Sequence, residues 1–219
     1  MEETLEVFPD KQHVAEKEEH PGHIHKDPFG AKIGMWIFLL TELLLFGGMF
    51  VIYGMYRYMN SDAFHVAAEE LNTTIGTINT LVLLTSSLTV AMSITAVRLG
   101  HKKFAVFLLS STIFFAVVFL INKYFEWSEK FHHGIFPGSE ELLKRSNGEI
   151  LFFGLYYVMT GIHGLHIIIG IVILSVMLIL VIRNKITSDD YIKLENSGLY
   201  WHLVDIIWIF LFPLFYLLR

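Results

Sequence analysis

The run IGMWIFLLTELLLFGGMFVIYGMY, from Ile33 to Tyr56, decides the fold class. It holds a single charged residue, Glu42, in an otherwise uncharged apolar stretch. About 20 apolar residues at ~1.5 Å rise cross a hydrocarbon core of ~30 Å, so the run reads as a transmembrane helix. Glu42 lies nine residues in, which at that rise is roughly 13–14 Å deep, near the midplane. An ionised group there costs at least ~2.5–3.5 kcal/mol, so Glu42 must face protein, water or a polar lipid, or hold a proton. It is a functional-site candidate by default.

The rest of the chain repeats the pattern. Of 219 residues, 54% are hydrophobic and 17% charged, where a soluble domain carries about 25% charged residues. Uncharged runs place further spans at about 73–98, 103–127, 149–182 and 197–218, after a first span at about 31–58. The fold class expected is all-α: a polytopic membrane protein, a five-transmembrane-helix bundle over 31–219 behind a polar N-terminal tail over 1–30. The fourth run exceeds the core thickness and should tilt or project. Arg98–Lys103 reads as a tight hairpin, whereas 60–72 and 129–148 read as longer polar loops, the second with a Pro137-Gly138 turn signal.

The tail holds eight acids and four histidines, His13, His20, His23 and His25, with no apolar stripe. It reads as mobile and solvated rather than as a metal site, because nothing fixes a ligand geometry. No apolar stretch precedes Ile33, so the first membrane helix is expected to serve as its own targeting signal. The absence of cysteine excludes disulfides, thiolate metal sites and iron–sulfur clusters. A net charge of −5 argues against a nucleic-acid partner. With the tail inside, Lys and Arg divide ten inside to six outside, and the short loops 98–103 and 183–193 carry three each against none in 60–72. That bias puts the N-terminus in the cytoplasm and the C-terminus outside.

Polar residues within the spans are the remaining candidates. In the second span Asn79, Ser86 and Ser87 suit close helix packing. In the fourth, His163 and His166 are three apart and share a helix face. They are open to two readings: metal ligands needing help from Glu42, Glu126 or His202, or imidazoles hydrogen-bonded to a carbonyl, hydroxyl or headgroup, the reading preferred here. Gly164 and Gly170 beside them suggest close packing. In the fifth span His202 and Asp205 are also three apart and can pair, Tyr200 and Trp201 suit an interfacial belt, and Pro213 a kink near the helix end. Glu126, with Lys123 and Trp127, is placed at headgroup level, either as an interfacial anchor or as a site for a lipid or partner subunit.

Lys32-Ile-Gly-Met-Trp-Ile-Phe-Leu-Leu-Thr-Glu42, the stretch Asn79–Ser93, Phe125-Glu126, His163-Gly-Leu-His166 and Tyr200-Trp-His-Leu-Val-Asp-Ile-Ile-Trp208 together resemble subunit III of the haem–copper (cytochrome c) oxidases. The resemblance covers about residues 30–218 in order and is to a short, five-helix form. It implies a subunit with no catalytic residue, metal or redox centre of its own, in a proton-pumping terminal oxidase whose haem and copper sit in partner subunits. It implies packing on subunit I, subunit II in the same complex, bound phospholipid, and support of proton uptake and enzyme stability. Electrons would come from cytochrome c, or from quinol in a sister branch; a nitric oxide reductase accessory protein is a third branch. Glu42 matches the family's intramembrane carboxylate. Glu126, His163, His166, His202 and Asp205 match positions in the polar interior or at the lipid boundary. The expected setting is a bacterial inner membrane. A stand-alone proton-coupled transporter is the contrasting reading, weakened by the lack of an internal repeat.

Overall fold

The structure is a computed structural model and describes residues 28–218. The histidines of the tail lie outside the described residues. The helices are α1 (Pro28–Met59), α2 (Ser61–Glu69), α3 (Thr73–Arg98), α4 (Lys102–His132), α5 (Glu140–Leu143), α6 (Asn147–Ile182) and α7 (Ile192–Phe212), followed by a π-helical turn, Pro213–Leu217. Five of them, α1, α3, α4, α6 and α7, are long and apolar enough to cross a membrane.

Four of the five form a ring: α3 packs on α4, α4 on α6, α6 on α7, and α7 back on α3. The α3–α4 hairpin turns at Gly100, whose φ of 77° suits a residue without a Cβ. α1 stands outside the ring, against α6 and α7. It buries only a narrow stripe, Leu39, Phe46 and Tyr53, at seven-residue intervals. Trp36, Ile37, Leu40, Leu43, Leu44 and Val51 are exposed. One flank of α1 therefore touches the chain, and the rest presents apolar side chains outward.

Several elements differ from the sequence reading. The stretch 60–72 contains the helix α2, whose Phe64, Ala67 and Ala68 are buried against the bundle end. Apolar residues at that spacing form a stripe, and the stripe overrides the segment's polar average. α4 runs on to His132 and α7 starts at Ile192, each about one turn beyond the apolar run. Polar end turns are held by partners. Lys32 of α1 lies 3.1 Å from Glu195 of α7. The Ser146 hydroxyl accepts from the Glu149 N–H at 3.3 Å, an N-cap that starts α6, and donates to the Glu149 carboxylate at 2.8 Å. Pro213 ends the α-helix rather than kinking it. It has no N–H to donate, and the wider turn that follows closes with Leu218 N–H donating to the Pro213 carbonyl at 2.9 Å.

Tyr200 and Trp201 are buried, at 3% and 0% exposure, and form no interfacial belt. They pack against α6 at Gly170, where a Cβ would stand 2.6 Å from the Trp201 ring. In lipid, helices associate by packing and hydrogen bonds rather than by escape from water. Edge-to-face contacts serve that end: Tyr53 meets Phe64 and Phe215 at 5.5 and 5.0 Å, and Phe64 meets Phe152 at 5.4 Å. They tie α1, α2, α6 and the π-helical turn together.

Candidate functional site

Glu42 projects from α1 onto α6. Its Oε2 lies 2.9 Å from Nε2 of His166, both side chains being largely covered at 16% and 12% exposure. The other ring nitrogen of His166, Nδ1, lies 2.8 Å from the Ile162 carbonyl. A carbonyl oxygen only accepts, so Nδ1 carries a hydrogen. That leaves one proton for Nε2 and Glu42 to share. Imidazolium with carboxylate, or imidazole with carboxylic acid, are both neutral as a pair. Tyr200 fixes the helix beside the pair by donating to the His166 carbonyl at 3.1 Å. The Phe46 ring packs edge-on to the imidazole at 5.4 Å. The site is a one-proton pair between an edge helix and the ring.

The second ionic site is interior and centres on Glu126 and Lys123, which the sequence reading took for an interfacial anchor or a lipid or partner site. Lys123 Nζ donates to Glu126 Oε2 at 3.1 Å, Tyr156 Oη at 3.0 Å and Tyr216 Oη at 2.8 Å. Both phenols donate to Glu126 Oε1, at 2.6 and 2.5 Å. All three ammonium hydrogens and both carboxylate oxygens are used. Glu126 is 2% exposed and Lys123 6%. Glu126 is thus enclosed by protein rather than exposed as an anchor; its partners come from α4, α6 and the π-helical turn. The spacing of Lys123 and Glu126 was visible in the sequence as an i, i+3 pair. Nothing local marked Tyr156 or Tyr216 as the other members. Beyond Glu126 a polar cleft of about 380 Å³, lined by Glu70, Asn72, Glu129, Lys130 and His133 among others, opens at the α2 end.

The histidine and aspartate pairs do not form as the spacing suggests. His163 does not join His166: it is fully buried, its ring between Trp208 at 5.2 Å and Phe119 at 5.6 Å, and neither nitrogen has a hydrogen-bond partner. His202 bonds across to α3, with Nδ1 2.6 Å from Ser87 Oγ, instead of pairing with Asp205. Neither Asp205 oxygen has a partner, although the residue is 2% exposed.

Of the packing candidates, Asn79 accepts from Asn122 at 2.9 Å and Ser86 from the Trp201 indole at 3.1 Å, one tying α3 to α4 and the other α3 to α7. Gly164 differs: nothing lies within 4 Å of where its Cβ would stand. It lines, with Gly161, Leu120, Tyr124, Trp127 and Leu165 among others, a largely apolar groove of about 720 Å³ between α4 and α6.

Among the described residues no three His, Cys, Asp or Glu side chains meet in a metal-holding group. His166 and His202 are each engaged by a neighbour and His163 is walled by aromatic rings, so these three imidazoles do not fit a haem or copper centre.

Residues 10–218 match the family model described as cytochrome c oxidase subunit III. The chain is 32% identical to cytochrome c oxidase subunit 3 of Thermostichus vulcanus, over 90% of this chain and 91% of that protein. It is 27% identical to a probable quinol oxidase subunit 3 of Staphylococcus saprophyticus, over 91% of each. It is 28% identical to a heme-copper oxidase subunit I+III of Aeropyrum pernix, over 91% of this chain, which spans about a quarter of that protein's length (24%). The five-helix architecture and a match running through every membrane helix lead to one assignment: the chain belongs to the cytochrome c oxidase subunit III family of the haem–copper oxidases.

Proposed function

We propose that the chain serves, without a redox centre of its own, in a proton-pumping terminal oxidase of aerobic respiration. It packs on subunit I, binds phospholipid, and supports proton uptake and the working lifetime of the enzyme. The observation that carries this reading is the Glu42–His166 pair. It holds one proton at mid-depth on α1, the membrane helix that stands outside the ring among the described residues and whose outward face is apolar. A partner laid along α1 would be brought near that proton. The Aeropyrum relative, whose name joins subunits I and III, supports subunit I as that partner. The α4–α6 groove, apolar with Ser128 and the Trp127 indole at its polar end, suits an acyl chain. The charges of the short loops support a cytoplasmic N-terminus in a bacterial inner membrane.

Relatives carry both donor names, and the higher identity to the cytochrome c oxidase subunit favours cytochrome c over quinol. The test is mild-detergent purification on a C-terminal tag, with a reduced-minus-oxidised spectrum and mass spectrometry of co-eluting chains. Haem bands with subunits I and II are expected, and a copper-binding or cytochrome c domain in subunit II names the donor. A colourless chain eluting alone would overturn the oxidase reading in favour of a stand-alone transporter.

A further inference from the structure

Asp205 is the one aspartate of the sequence inside a membrane span; the others, Asp10, Asp27, Asp62, Asp189 and Asp190, lie in the tail or in the connections. It sits thirteen residues from Ile192 and twelve from Leu217, at the middle of its span. The side chain is buried and both carboxyl oxygens lack a partner. The Ser87 hydroxyl of α3 stands beside it without completing a hydrogen bond to either oxygen. That same hydroxyl is 2.6 Å from Nδ1 of His202, which is partly buried where α7 meets α3.

The elements packed on α7 supply no countercharge. α3 is uncharged from Thr73 to Val97. On α6, His166 is taken by Glu42, His163 faces Phe119 and Trp208, and Tyr156 is bonded to Glu126. Lys123 of α4 spends its three hydrogens on Glu126, Tyr156 and Tyr216. On α1, Glu42 is held by His166. A lone carboxylate buried in a medium of low dielectric is removed most readily by taking up a proton.

We propose that Asp205 is a proton-binding site at mid-membrane depth, separate from Glu42, which exchanges its proton with the α3–α7 face through the Ser87 hydroxyl and the His202 imidazole. In the loading step the protonated His202 Nδ1–H passes its proton to Ser87 Oγ as the Ser87 hydroxyl proton passes to Asp205. Ser87 ends as it began, His202 ends neutral, and the Asp205 carboxylate ends as the acid. Reversal unloads it. The hydroxyl needs only a rotation about Cβ–Oγ to alternate between the two groups, which its partial engagement leaves free.

The test is infrared spectroscopy of the full chain in lipid nanodiscs with aspartate carrying ¹³C in its side-chain carboxyl. One isotope-shifted protonated-carboxyl band is expected in neutral buffer, lost in Asp205→Asn and kept in Glu42→Gln. On transfer to D₂O, Ser87→Ala should slow the shift of that band by about fivefold, the change expected from losing one ordinary hydrogen bond. Ser87→Thr, which keeps the hydroxyl, should restore the rate. A spectrum without a protonated aspartyl band overturns the proton site, and needs no variant to fold. A band whose deuteration ignores Ser87→Ala overturns the route. Either result stands whether or not the chain co-purifies with a haem protein, so it is distinct from failure of the oxidase reading.

Discussion

Glu126 and Glu42 are both carboxylates inside membrane helices, and their surroundings are opposites. Glu126 sits in a closed set: one cation and two phenols, drawn from α4, α6 and the π-helical turn, donate to both of its oxygens. Glu42 has one partner, His166, and sits on the helix least embedded in the bundle. In the closed set each hydrogen already serves a partner, so moving one disturbs five linked hydrogen bonds. In the two-member pair the shared proton moves along a single bond. The first arrangement suits holding helices together; the second suits handling a proton.

The difference is broken most severely at Glu126. Glu126→Leu leaves the Lys123 ammonium buried without its anion, and stranding one member of a buried pair costs about 3–5 kcal/mol. The expected outcome is a chain that fails to accumulate in the membrane or melts far below the wild type by a fluorescence thermal scan. Lys123→Met combined with Glu126→Leu should recover most of that loss, since a buried pair and a well-packed apolar replacement are often nearly equal. A double variant no better than the single would show that Tyr156 and Tyr216, rather than the charges, set the stability.

A smaller effect is expected where the bundle is tied by shape. A Cβ at Gly170 would lie 2.6 Å from the Trp201 ring, so Gly170→Ala must push α6 and α7 apart. Overpacking of this kind costs about 1–3 kcal/mol, read as a lowered melting temperature. Gly164→Ala, facing open groove, should leave the melting temperature unchanged. Helix propensity favours alanine at both positions, so equal losses at the two glycines would mean that the contact with the Trp201 ring is not what sets the cost.

Segment length and hydropathy made the five membrane helices legible, because a bilayer demands long uncharged runs whatever the side chains do. They were blind to α2, whose nine residues are too short and too mixed a run to stand out, although Phe64, Ala67 and Ala68 share a buried stripe. Spacing along one helix was a poorer guide to polar contacts. It put His163 and His166 on one face and let His202 pair with Asp205, whereas His166 reaches the Ile162 carbonyl and α1, His202 reaches α3, and His163 faces rings. An i, i+3 relation puts two groups on one face but says nothing of what the neighbouring helix offers. Where the neighbour carries a better partner, it wins. Lys123 and Glu126 do meet, because their other partners converge on the same point.

Outside the membrane the contrast nearly vanishes. Arg145 bridges Glu70 at the end of α2 and Glu149 in the first turn of α6. The Glu70 carboxylate bonded to it holds its guanidinium above the usual arginine value, so its charge is constant over any working pH. With the pair about 30% exposed (29% and 31%), solvent screens it. Arg145→Ala is expected to cost up to ~1 kcal/mol in low salt and less in high salt. A loss that ignores salt would assign the effect to packing of the guanidinium over the Phe153 ring, 5.9 Å away.

The smallest stability change is expected at Glu42, and that is what separates it from Glu126. His166 Nδ1 keeps its hydrogen on the Ile162 carbonyl, so a neutral ring presents Nε2 as an acceptor. The amide of Glu42→Gln can donate to that nitrogen at the distance the carboxyl now occupies, which keeps the hydrogen bond and removes the shared proton. Since the bond itself contributes only about 1 kcal/mol, its retention predicts a near-unchanged melting temperature, assembly and haem spectrum. Proton uptake during turnover, or the rate of turnover-linked inactivation, should change. If the variant instead fails to assemble, Glu42 acts as Glu126 does, holding helices together, and the proton role falls.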